Sequence, residues 1–186
     1  MMRVFHRIDR RHSPAATSLI SLWLLILASF ALSACRSDPP KPTRAVSPRE
    51  RQELTLRALG FGETDQGWLL SLPAAITFSF DSAEVKPAAR RSISDTAKVL
   101  LRAQIRRVRL AGHTDNIGEE PFNLELSRHR ADAVADIFRA DGFADGDVER
   151  LGLGSRFPVH NNASSDERAR NRRVEIIVPA SALGEP

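Results

Sequence analysis

The sequence predicts an α+β domain, a two-layer sandwich in which a mixed β-sheet carries its helices on one face. Three observations lead to this. Short segments alternate apolar and polar residues: Ile76, Phe78 and Phe80; Val108 and Leu110; Val174, Ile176 and Val178. Longer runs with a helical period sit between them, opening at Pro87 and at Asn123. Strands that keep one polar face belong to a sheet covered on one side only. The expected order is strand, helix, strand, helix, strand, strand, with no internal repeat.

The 186 residues allow one ordinary domain plus appendages, and a hydrophobic content of 42% supports a real core. The formal charge of +4 arises mostly at the N-terminus, where Arg3, Arg7, Arg10 and Arg11 accompany a single acid, Asp9. Beyond residue 34 acids and bases nearly balance. They are also interspersed, apart from Arg172-Arg173 and the group Arg106, Arg107 and Arg109. That distribution lacks the single basic face that nucleic-acid binding requires.

Residues 1–34 have the layout of a secretory signal: an arginine-bearing start, the apolar run AATSLISLWLLILASF from Ala15 to Phe30, then small residues. The competing reading is a retained transmembrane helix. The end of the run decides between them, because Leu32-Ser33-Ala34-Cys35 resembles the bacterial lipobox. That resemblance implies cleavage before Cys35 and attachment of acyl chains to it. Cys35 is the chain's only cysteine, so no intramolecular disulfide competes for the thiol. Each buried methylene contributes about 0.8 kcal/mol, so several acyl chains anchor essentially permanently. Arg36 and Ser37 follow the cysteine, with no Asp directly after it, which by resemblance to the Gram-negative sorting rule points to the outer membrane. Residues 35–69 are then expected to hold the lipidated cysteine, an extended proline- and charge-rich tether over 36–46, and a short helix.

That helix is predicted from Ser47 as N-cap, Pro48 at its first position and Glu50 in capping-box position, with Gly60 closing it. Its shortness suggests loose docking. Trp68 to Leu72 read as an edge strand before Pro73. The domain proper is expected over 70–180. Ile76 to Phe80 form its first firm strand, ended by Asp81-Ser82. Pro87 opens a helix with Ala89, Ile93, Ala97, Leu100 and Leu101 inward. Val108 and Leu110 face inward on the next strand, with Arg107 and Arg109 outward. A helix capped by Asn123 runs to Gly142, followed by strands at Val148–Leu153 and Val174–Val178.

The stretch GHTDNIGEEPFNLELSRHR, Gly112 to Arg130, carries the chemistry. Asp115 falls just past a strand end. On the following helix Leu126, Val134, Ile137 and Phe138 form an apolar stripe, opposed by Glu125, Arg128, His129, Asp132, Asp136 and Arg139. Asn123, Ser127 and Arg130 sit inside the apolar stripe. A charge there is costly unless it is paired or meets a ligand. Two readings follow: an internal Asp115–Arg130 salt bridge, or a recess that offers a carboxylate and a guanidinium to a zwitterion.

Five blocks resemble the OmpA-like peptidoglycan-binding domain: Phe78-Ser79-Phe80-Asp81-Ser82; Gly112-His113-Thr114-Asp115 with Gly118; Asn123 with Leu126-Ser127 and Arg130-Ala131; Gly152-Leu153-Gly154 with Pro158; and Asn171-Arg172-Arg173-Val174-Glu175. The similarity covers roughly Leu70 to Val178. It implies that Asp115 and Arg130 hold diaminopimelate of the peptidoglycan stem peptide, with Thr114 beside them, and that Asp81, Asn123 and Arg173 help to line the pocket. It implies peptidoglycan and the outer membrane as partners, allows Tol-type proteins, and calls for no cofactor. Two positions depart from the family pattern. Glu167 stands where glycine is usual, so the loop from Asn161 to Arg170 is expected to take its own path. Phe122 replaces a tyrosine.

Three rival readings compete with this one. A MotB-like stator or secretion-system anchor uses the same module but keeps a membrane helix, normally with an ionisable residue in it; the run from Ala15 to Ala34 has none. A metal centre needs three or four ligands, and His113, His129 and His160 lack companions at ligand spacing. A wall-processing enzyme needs an activated nucleophile, and no Ser-His-acid set is readable.

Overall fold

The computed structural model describes residues 46–79 and 82–184. Cys35, the signal, most of the tether, Phe80 and Asp81 lie outside the described residues. The first helix, α1 (Pro48–Ala58), starts as expected: the Ser47 side chain accepts from Glu50 N at 3.1 Å, and Gly60 follows the end at φ 86°. It is firmly docked rather than loose. Leu56 is wholly buried, and Gln52 donates to Ala103 O at 2.9 Å and accepts from Gly184 N at 2.8 Å.

Strand β1 (Gly62–Thr64) forms a hairpin with β2 (Gly67–Pro73). The sequence reading missed β1, and in consequence β2 is not an edge strand. The segment expected as a strand from Ile76 to Phe80 is also different. Ala74–Thr77 makes a single helical turn, α2, with Phe78 N donating to Ala74 O and the Thr77 hydroxyl to Pro73 O at 2.8 Å. Ile76 is therefore turned out to solvent, and Phe78 keeps only an isolated antiparallel bridge to Val85. Helix α3 (Pro87–Arg102) buries Ile93, Ala97 and Leu100, with Ala89 and Leu101 packed beside them, as the period predicted.

Strand β3 (Val108–His113) leads to helix α4 (Glu120–Ala140), which begins three residues before the expected cap. Pro121 belongs in a first turn, where its missing N–H costs nothing, and Glu120 complements the positive helix end. Gly142 follows α4 at φ 113°. Then come β4 (Val148–Gly152), helix α5 (Ser165–Asn171) and β5 (Arg173–Val178). Helix α5 replaces the irregular loop expected there. Glu167 needs no positive φ, because it occupies the third helical position and closes a reciprocal capping box with Ser164. The left-handed conformation nearby is taken by Asn162 at φ 64°.

The sheet order is β1-β2-β5-β3-β4, antiparallel except for the parallel β3-β4 pair. Helix α4 packs over β3 and β4, with α3 against α4 and α1 against α3. Leu110 stands opposite Ile176 and Gly112 opposite Val174 on the helix-covered face, while Ala111 pairs with Glu175 and His113 with Arg173 on the other. Leu56, Phe61 and Trp68 share the core with Val108, Val174 and Phe138, so the packed body starts at α1. Among the described residues no helix is long and apolar enough to cross a membrane.

Two glycines set how closely α4 approaches the sheet. A Cβ on Gly112 would lie 2.0 Å from Ser127 O, and one on Gly152 would lie 2.7 Å from Leu124 O. Only glycine lets the helix backbone lie this near the strand ends.

Candidate functional site

That close approach brings the end of β3 against the first two turns of α4. The strand end is fixed by its parallel neighbour: Leu153 N donates to Gly112 O and Thr114 N to Gly154 O, each at 2.9 Å. Gly154 N in turn donates to the buried Ser127 hydroxyl at 3.0 Å, locking strand end to helix. Thr114 and Asp115 follow, both buried. Asp115 Oδ1 accepts from Ile117 N at 3.1 Å, an Asx-type turn that leaves the second oxygen for another donor. Asn123, inside the helix rather than capping it, donates to Ile117 O at 3.0 Å and ties the loop to α4.

Arg130 is 5% exposed on the same helix. Its Nε donates to Ser82 O at 3.1 Å, and its guanidinium carbon lies 5.3 Å from the Phe78 ring centroid. Asp115 and Arg130 line one cleft of about 670 Å³, together with Thr114, Asn123 and Phe78. The two charges thus share an opening, and they are not ion-paired to each other. Asp115 Oδ2 instead accepts from Arg172 Nη1 at 2.5 Å. Ile117 and Phe122, 64% and 54% exposed, give the cleft an apolar rim.

Arg173 is not in this cleft, contrary to expectation. It lies on the other face of the sheet, donating from Nε to Glu175 at 2.7 Å and from Nη1 to Asn171 O at 3.1 Å. It lines a separate groove of about 610 Å³ with His113, Glu175 and Phe157. Arg172 takes its place at the cleft, and sequence reasoning missed it although a signal existed. Side chains alternate along a strand, so the residue two before Val174 falls on the helix-covered side. Burial drives the Glu175 carboxyl up, but the neighbouring His113 imidazole and the hydrogen-bonded Arg173 guanidinium outweigh this and hold it below the usual carboxylate range. His113 Nε2 is 3.4 Å from Glu175 Oε2, a contact better described as electrostatic than as a hydrogen bond. Among the described residues no group of three or more His, Cys, Asp or Glu is arranged to hold a metal ion.

Asp115, Arg130 and Arg172 all fall within residues 77–172, which match the model of the OmpA family. The chain belongs to the OmpA family. It is 35% identical over 173 residues to a protein named outer-membrane lipoprotein YfiB from Pseudomonas aeruginosa, covering 93% of this chain and 99% of that one. It is 42% identical over 103 residues to peptidoglycan-binding protein ArfA from Mycobacterium tuberculosis, covering 55% of this chain and 32% of that one. The solved cell wall anchor of the T6SS from Pseudomonas aeruginosa superposes with a TM-score of 0.57 at 30% identity, covering 73% of this chain and 98% of that chain. The OmpA-family fold is therefore the frame for the cleft. Its mixed five-stranded sheet with helices is the α+β class the sequence pattern predicts, although β1 and α5 were not expected and the helical turn α2 stands where a strand was.

Proposed function

We propose that this protein is a lipid-anchored lipoprotein of the outer membrane whose periplasmic domain grips peptidoglycan noncovalently, through the diaminopimelate of the stem peptide. The observation that carries this is the cleft shared by Asp115 and Arg130. The free end of a diaminopimelate side chain bears an ammonium and a carboxylate on one carbon. Asp115 accepts from the ammonium, Arg130 donates to the carboxylate, and the Phe78 face and apolar rim contact the methylenes. Arg172 is paired with Asp115, so an incoming ammonium exchanges one cation for another and the carboxylate is never left bare.

Anchoring at Cys35 confines the domain near a repetitive polymer, which raises the effective concentration and lets a weak single-site grip suffice. The names of the YfiB, ArfA and T6SS relatives support envelope location and wall binding. The role is binding, with no catalytic step. The test uses the full chain in detergent, bound to purified sacculi. Free meso-diaminopimelate is expected to release it, whereas Nα-acetyl-lysine amide, whose only charged end is an ammonium with no carboxylate beside it, is not. Equal release by the blocked lysine, or none by diaminopimelate, rejects the assignment.

A further inference from the structure

Lys86 and Arg168 give the cleft a positive side that diaminopimelate recognition does not use. Among the described residues that line it, Asp115 is the sole acid, and Arg172 already holds it. Lys86 and Arg168 form no ion pair among the described residues. Lys86 Nζ donates to Ala75 O at 2.7 Å, and Arg168 Nη1 donates to Asn162 O at 3.0 Å and Ala163 O at 3.4 Å. Among the described residues, carbonyls position these charges and no acid compensates them, and both side chains are partly buried.

The two cations are also tied to one place. Ala74 N donates to Arg172 O, Arg172 N donates to Arg168 O, and the carbonyl of Ala75 receives Lys86. The turn α2 therefore links the end of α5 to the start of α3, and both cations line the one cleft. At about 670 Å³ the cleft has the size of a site for a whole small ligand rather than for one side-chain tip.

We infer that Lys86 and Arg168 form a second anion subsite, which takes a further carboxylate of the stem peptide, the free α-carboxylate of the γ-linked D-glutamate preceding diaminopimelate. This rests on the proposed function and adds a selectivity to it. The protein distinguishes stem peptides that carry a glutamate carboxylate from those in which it is amidated to isoglutamine.

The test is calorimetric titration of the full chain in detergent with two synthetic tripeptides, L-Ala-γ-D-Glu-meso-diaminopimelate and its D-isoglutamine counterpart. The amidated peptide is expected to bind roughly fivefold more weakly, the size of one part-exposed ion pair. In the K86Q/R168Q double variant the two peptides are expected to bind alike. Equal affinities in the wild type overturn the subsite and leave the diaminopimelate reading standing. Discrimination that persists in the double variant overturns its assignment to these residues, and failure of both peptides to bind overturns the function and the subsite together. The wild-type comparison does not depend on how well the variant folds.

Discussion

Gly112→Ala tests whether the contact between β3 and α4 both holds the fold and builds the cleft. The added Cβ would lie 2.0 Å from Ser127 O and 2.8 Å from Ser127 C. A carbon approaches a carbonyl oxygen no closer than about 3.3 Å in ordinary contacts, so α4 must shift by about 1.3 Å at that point. The obstacle is helix backbone, which cannot rotate aside, and overpacking of this kind costs about 3 kcal/mol. With a urea slope of about 2 kcal/mol/M, the unfolding midpoint falls by about 1.5 M. The same shift carries Asn123 and Arg130 away from Asp115, so sacculus binding weakens even where the variant is folded. Gly146→Ala is the control: nothing lies within 4 Å of its Cβ, and the change is expected to be neutral or slightly stabilising. Urea denaturation followed by circular dichroism reads both. A Gly112→Ala protein as stable as wild type would refute the reasoning.

Three other expectations follow from the same contacts. The carboxyl of Glu175 is held below its ordinary value, so its contribution is fully present above the unfolded carboxylate pKa of about 4.3 and is lost as pH falls through the lower folded value. The gap in urea midpoint between wild type and Glu175→Gln should therefore narrow from pH 7 to pH 3; a gap that widens on acidification contradicts the sign. Asn171 is wholly buried, accepts from Val159 N and His160 N at 2.9 and 3.0 Å, and donates to His160 O at 2.9 Å. Asn171→Ala orphans those groups and should cost about 2–4 kcal/mol in thermal or urea unfolding, against no change if the network is incidental. Metabolic labelling with a fatty-acid analogue should mark the wild type and not Cys35→Ala, and labelling that survives the substitution would place the anchor elsewhere.

Where the sequence was legible, a strong period coincided with burial. Ile93, Ala97 and Leu100 on α3, and Val134, Ile137 and Phe138 on α4, fell inward as their spacing required. Asn123, Ser127 and Arg130 stood out because polar groups interrupted an apolar stripe, and all three are buried beside the cleft or its supports. The failures have local causes. Alternation at Ile76, Phe78 and Phe80 mimicked a strand, but hydrogen bonds from Thr77 and Phe78 back to Pro73 and Ala74 closed a helical turn instead. The three residues of β1 are all exposed, so no hydrophobic pattern marked them. Asn123 looked like a cap because its side chain suits one, but that side chain is spent on the Ile117 carbonyl. The choice of Arg173 over Arg172 came from family resemblance, and the alternation with Val174 already argued for the other residue.

The central claim is that Asp115 and Arg130 face a ligand through their shared cleft. Co-sedimentation of the full chain with purified sacculi tests it most directly, comparing wild type with Asp115→Asn, which keeps an acceptor for Ile117 N, and with Arg130→Gln. The account predicts that both variants stay in the supernatant while their circular dichroism remains that of the wild type. Folded variants that pellet with the wall as the wild type does would contradict it.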